Sequence, residues 1–271
     1  MATSLQQSTS SEELFLPDRQ RLHKSPDISS LFSDGVLTRC EHRDSWQEEL
    51  TPQEKIQIGD VCDKRYAEFA AGRSQARQLI ATLTGTAEQL LIGDYRQPLW
   101  PESVIGSISH SDEFCAVAVA AIDQHIGLGI DVEPFEPLDD DVADIVLTTT
   151  ERESIRDLEL LPVAVGQLPG QLPGQLPGEC MTQAMTESQA AKLIFSIKEA
   201  IYKCCYPQVK VFIDFKQCEV RLDFESCTYH SVISFEDSSG QTVNMPVFGK
   251  WMIEAGHIFA SAQNLFSSTR N

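Results

Sequence analysis

The sequence predicts an α+β fold of two related subdomains. Each is a long helix packed on a small antiparallel sheet, with the active site in the cleft between them. Three observations lead there. Two stretches, 63–84 and 187–205, carry apolar residues at three- and four-residue spacing, the period of one helix face. Strand-like apolar runs follow each helix: 115–122 and 127–131 after the first, then 209–215, 218–224, 230–235, 247–253 and 258–262 after the second. Between the halves lies a four-residue repeat, GQLPGQLPGQLPG at 166–178, whose prolines and glycines suit neither a helix nor a sheet interior. The expected divisions are a partly disordered N-terminal segment at 1–62, a first subdomain at 63–160, a linker at 161–186 and a second subdomain at 187–271.

Composition restricts the partners. Forty acids against 21 bases give a formal net charge of −19, which argues against a nucleic-acid binder, since such proteins present basic surface. An anion site must then be built locally from a few bases. The eight cysteines form no C-x-x-C pair, so they read as free thiols of a reducing compartment. The first 30 residues have no apolar core of a signal peptide, and no run approaches the ~20 apolar residues needed to span a bilayer. The expectation is a cytoplasmic protein without a membrane span.

In chain order, Met1–Ser11 is polar and expected to be disordered. The helix at 63–84 buries Tyr66, Phe69, Ala70, Ala76, Leu79, Ile80 and Leu83 and carries Lys64, Arg65, Arg73 and Arg77. Arg73 and Arg77 are four apart and share a face, either a solvated cationic face or an anion site. Residues 95–101, YRQPLWP, form a stiff loop that delivers Arg96, with Trp100 as a packing anchor. Ser107–Ser111 reads as a small-residue turn around His110. Asp131 and Glu133 end a strand and project to one side, because residues i and i+2 share a face. Taken alone, such a pair is a strand ending in solvated acids; the other reading is a hard divalent cation held by oxygen ligands. Asp139–Asp141 reads as a solvated loop, and Thr148 with Glu151 as a capping box opening a helix to residue 158. The second helix carries Lys192, Glu199 and Lys203 and is expected to stop at Pro207. Glu199 and Lys203, at i and i+4, form at least an ordinary helix ion pair. Hairpin-like turns are expected at 216–217 and 254–256.

Four pieces in order, R-Q-P-L-W-P at 96–101, G-S-I-S-H-S at 106–111, G-I-D-V-E at 129–133 and F-S-I-K-E-A-I-Y-K at 195–203, resemble the 4′-phosphopantetheinyl transferases, in the subtype of enterobactin synthase component D. E-F-x-x-G-R-x-x-A-R at 68–77 is similar to the same subgroup, and the resemblance covers roughly residues 60 to 205. It implies coenzyme A as substrate, a serine of an acyl or peptidyl carrier domain as acceptor, and 3′,5′-ADP as leaving group. It implies Mg²⁺ held by Asp131, Glu133 and Glu199, with Glu199 also activating the carrier serine. Lys203 would stabilise phosphate charge, with Lys198 as a further candidate. Arg73, Arg77, Arg96 and His110 would hold the 3′-phosphate and adenine end, and Ser109 would shape the turn or touch a phosphate. Lys203, Lys210, Lys216 and Arg221 are expected as a local basic patch for an acidic carrier. A Mg²⁺-dependent nucleotide pyrophosphohydrolase and a non-catalytic carrier-binding module are the competing functions. A monomer suffices, because the cleft is internal.

Overall fold

The computed structural model describes residues 25–47, 49–156, 162–165, 181–236 and 240–265. The disorder expected at 1–11 and the GQLP repeat fall outside them. In chain order the elements are β1 (Leu37–His42), α1 (Pro52–Ile58), α2 (Asp63–Thr84), β2 (Leu91–Ile92), β3 (Pro98–Leu99), β4 (Val104–His110), β5 (Phe114–Ala121) and β6 (His125–Pro134). There follow α3 (Asp140–Val146), α4 (Thr149–Ile155), β7 (Pro162–Val165), β8 (Met181–Ala184), α5 (Glu187–Val209), β9 (Cys218–Asp223), β10 (Thr228–Glu236), β11 (Thr242–Glu254) and β12 (His257–Leu265). The α+β class is as the sequence predicts, with α2 covering the expected residues.

Of the two larger sheets, one runs β1-β5-β4 and the other β6-β12-β11-β10-β9, both antiparallel; β2-β3 and β7-β8 are two-stranded. The unbroken apolar run of β5 follows from burial on both faces. Cys115, Val117 and Val119 pack with Ala76 and Ile80 of α2, whereas Phe114, Ala116, Ala118 and Ala120 pack with Leu128, Ile130, Val132 and Phe259 of the second sheet. A Cβ at Gly106 would come within 2.6 Å of Trp100, so the glycine seats the indole and Trp100 is the anchor expected.

Several local expectations are corrected. Residues 107–110 are the end of β4, not a turn; its serines line the junction with β6. The strand expected at 209–215 is absent, because α5 runs through Pro207 to Val209 and ends on Lys210 in the left-handed region, after which Asp214 and Gln217 form a capping box on a short 3₁₀ turn. Proline there removes only its own N–H from the last turn, so the helix survives it. The sheets divide between β5 and β6, so β6 joins the second sheet through β12, although its residues were grouped with the first half. The flanks of the repeat, β7 and β8, pair with each other as one ribbon. The turn at 254–256 is present, with Ala255 and Gly256 both at positive φ, the requirement of a two-residue hairpin loop.

Candidate active site

The site grows from one register match. Gly127, Gly129, Asp131 and Glu133 share a face of β6, and α5 lies across it. A Cβ on Gly127 would meet the Cys204 carbonyl at 2.5 Å, and one on Gly129 the Ala200 carbonyl at 2.0 Å. The two glycines therefore let the helix backbone rest on the strand. The next two residues of that face meet the preceding turns: Ser196 donates to Asp131 Oδ2 at 2.8 Å, and Lys192 to Glu133 Oε2 at 2.6 Å. Two strand residues rise about 6.6 Å and four helix residues about 6 Å, so the pairing stays in step.

Asp131 is buried and fully engaged. Its Oδ1 accepts from Lys203 Nζ at 2.7 Å and Ser109 Oγ at 3.0 Å. Lys203 also reaches Ser109 Oγ at 2.9 Å. Side chains on a helix lean toward its N-terminus, which is how Lys203 reaches back to Asp131. Ser107 and Ser109 accept from the backbone N–H groups of Ile130 and Val132 at 3.1 and 3.3 Å. β6 is the edge of its sheet, and these hydroxyls satisfy donors that no strand pairs.

The Glu199 carboxyl is held above the ordinary carboxylate range, first by burial and then by the charge of Asp131; Lys203 opposes the shift and Glu133 adds to it. Among the described residues, no three His, Cys, Asp or Glu side chains stand grouped to hold a metal ion as they are. The donor chemistry nonetheless suits a hard divalent cation, since all three side chains offer carboxylate oxygens and the charges of Asp131 and Glu133 reach Glu199. Beside Glu199 opens a cavity of about 230 Å³ lined by Tyr202, Phe212, Ile213 and Phe215.

On the other side of β4, a cavity of about 390 Å³ is lined by Arg65, Glu68, Phe69, Arg73, Arg96, Pro98, Ile108 and His110. Arg73 is 5% exposed, stacks on the Phe69 ring at 4.4 Å, and its Nε has no hydrogen-bond partner. Burial, with Arg65 and Arg77 nearby, brings its pKa down to about 10 despite Glu54. Arg96 enters with φ 67° from the turn joining β2 and β3. The pKa of His110 is lowered, chiefly by burial against the opposing pull of Glu68, with Arg65 and Lys203 adding to the shift. Its Nε2 lies 3.0 Å from an Arg65 nitrogen, so Nε2 accepts and Nδ1 faces Glu68 at 3.6 Å. Ser109 and His110 are consecutive on β4, so one reaches Asp131 and the other the cationic cavity.

Two expected site residues face elsewhere. Arg77 is bound to buried Glu54 at 2.6 Å and to the Glu49 carbonyl, tying α2 to α1. Lys198 is 2% exposed and donates to Glu151, Val146 O and Phe215 O, so its ammonium is engaged inside the protein. The expected basic patch is partly used internally: Lys216 binds the carbonyls of Asp144 and Leu147, and Arg221 pairs with Glu219. Reading by sequence missed Glu68, Lys192 and Ser196 as site residues and left Arg65 as one of several helix bases. For Lys192 and Ser196 a signal existed, because they precede Ala200 by eight and four residues and so share its helix face.

Residues 53–120 match the 4′-phosphopantetheinyl transferase N-terminal domain, and residues 127–241 match the 4′-phosphopantetheinyl transferase superfamily. The break between them falls where the two sheets divide. The chain is 31% identical over 180 residues to the 4′-phosphopantetheinyl transferase Svp of Streptomyces mobaraensis, covering 66% of this chain and 64%, just under two thirds, of that protein. It is 26% identical over 219 residues to the 4′-phosphopantetheinyl transferase Npt of Nocardia iowensis, covering 78% and 87%. It is 31% identical over 142 residues to enterobactin synthase component D of Salmonella typhimurium, covering 52% and 48%. With both domain profiles matched in order across the two sheets, the chain belongs to the 4′-phosphopantetheinyl transferase superfamily.

Proposed function

We propose that this chain transfers 4′-phosphopantetheine from coenzyme A to a serine of an acyl or peptidyl carrier domain, in a Mg²⁺-dependent reaction. The observation that carries this reading is the adjacency of a cationic cavity and a carboxylate–lysine cluster, joined through His110 and Ser109. The 3′-phosphate and adenine end suit the cavity, where Arg73 presents an unpartnered buried Nε. The apolar pocket beside Glu199 suits the pantetheine arm.

The carrier serine oxygen attacks the phosphorus that bears pantetheine, the bond to the bridging oxygen breaks, and 3′,5′-ADP leaves. Glu199 accepts the serine proton. Lys203, fixed by Asp131 and Ser109, places positive charge beside the reacting phosphate. Mg²⁺, held by Asp131, Glu133 and Glu199, would supply charge neutralisation of the pyrophosphate.

Incubation with an apo carrier domain, CoA and Mg²⁺ tests the proposal: the carrier should gain the mass of one phosphopantetheine. CoA cleavage without carrier modification supports the pyrophosphohydrolase, and no change in either supports the binding module. A panel of apo carriers from siderophore, polyketide and polyunsaturated fatty acid synthases assigns the pathway. We read the enzyme as a cytoplasmic monomer; among the described residues no helix is long and apolar enough to cross a membrane.

A further inference from the structure

We infer that Lys192 is a resident counter-ion for Glu133, which a divalent cation must displace, and that it sets the affinity of the site for that cation. This rests on the reading above that Asp131, Glu133 and Glu199 take a divalent cation.

The Lys192 ammonium lies 2.6 Å from Glu133 Oε2 and 5.0 Å from the centroid of the Phe195 ring. It is held by a carboxylate on one side and an aromatic face on the other. The two charged side chains are 15% and 27% exposed, so water screens the pair only in part. The register of α5 on β6 puts this lysine opposite Glu133, as it puts Ser196 opposite Asp131.

The two lysines of the cluster are not equivalent. Lys203 shares Asp131 with Ser109 and Ser196. Lys192 instead occupies the carboxylate oxygen of Glu133 that faces the helix. A cation taking Glu133 as a ligand meets the ammonium at the same carboxylate. Two positive groups at that range repel, so loading is an exchange: the metal enters and the flexible lysine swings out to water. Lys192 thus keeps the acid pair neutralised when cation is scarce and weakens cation binding when it is present.

Mn²⁺, which takes the same hard oxygen ligands, provides the readout. The whole protein is titrated with Mn²⁺, with and without CoA, and free ion is followed by electron paramagnetic resonance. Lys192→Met should bind Mn²⁺ roughly tenfold more tightly than wild type, since it removes one competing charge. Lys192→Arg keeps the charge and should bind as wild type does. On a Glu133→Gln background, Lys192→Met should give no gain. If Lys192→Met folds poorly, Lys192→Gln, which also removes the charge, takes its place. Unchanged or weaker binding in the charge-removing variant, with wild type binding Mn²⁺, overturns the counter-ion role alone. Failure of wild type to take up Mn²⁺ even with CoA overturns the metal reading and this inference with it.

Discussion

Lys198 Nζ lies 2.7 Å from Glu151 Oε2, and neither side chain is more than 1% exposed. The pair joins five parts of the chain: α3, α4, α5, β9 and the 3₁₀ turn at Phe215. Glu151 also caps Thr148 at the start of α4 and accepts from Val220 N of β9, while Lys198 binds the carbonyls of Val146 and Phe215. Burial lowers the lysine pKa, with Glu151 opposing the shift. Lys198→Met leaves a buried carboxylate unpaired and should destabilise the fold by about 3–5 kcal/mol. Chemical denaturation measures that loss. A stable Lys198→Met protein with a selective defect in CoA binding would return Lys198 to the phosphate site.

Arg73 and Arg77 sit one helical turn apart and should behave in opposite ways. Arg77→Met strips the partner from Glu54, which is 0% exposed, and should lower stability with little selective effect on CoA. Arg73→Leu removes a buried cation whose Nε has no partner, so the ligand-free protein should melt no lower than wild type. Its affinity for CoA should fall by more than its affinity for dephospho-CoA, by about 1.5–3 kcal/mol. Calorimetry with both ligands checks this; equal losses would remove Arg73 from the 3′-phosphate.

His110 gives a pH dependence with a definite sign. Its folded pKa lies below the unfolded value of 6.5, so the unfolded chain takes up the proton first on acidification. The stability contributed by neutral His110 is complete above that value and is lost as pH falls through it toward the lower folded pKa. Melting temperature should therefore drop faster below pH 6.5 in wild type than in His110→Asn. Parallel profiles would show that the imidazole does not titrate differently on folding.

Glu199→Gln separates base from ligand. If Glu199 is mainly the base, the variant should still bind CoA with Mg²⁺ while turnover falls on the order of 10²–10⁴-fold. Where it is mainly a metal ligand, Mg²⁺ affinity and turnover fall together. Wild-type turnover with ordinary Mg²⁺ dependence would remove Glu199 from both roles.

The legible parts of this chain were those with a strong local period. Helix α2 and the capping box of Thr148 and Glu151 were readable because spacing alone specifies them, and strands β9 to β12 because their apolar runs are bounded by turns. Ser107–Ser109 misled because small polar residues suggest a turn, whereas here their hydroxyls stand in for a strand partner at the edge of β6. Residues 209–215 misled because Val211, Phe212 and Ile213 look like a strand, yet Phe212 is 77% exposed and borders the pocket by Glu199. Arg77 and Lys198 were assigned by resemblance to a phosphate site, and only tertiary contacts with Glu54 and Glu151 show where they point. The pairing of β6 with β12 joins residues far apart in sequence, which no local pattern reports.

The two-to-four matching of β6 and α5 makes spacing within each of these segments inflexible. One residue inserted in the strand between Gly127 and Glu133 would turn the carboxylates away from the helix, and one inserted between Lys192 and Lys203 would rotate the bases off the strand by about a quarter turn. The Gly-Gln-Leu-Pro repeat at 166–178 carries none of these residues, and its flanks β7 and β8 pair with each other. Adding or losing whole Gly-Gln-Leu-Pro units there changes loop-closure entropy by only about 0.6 kcal/mol per doubling of length. Units can therefore be gained or lost there while the reacting groups keep their places.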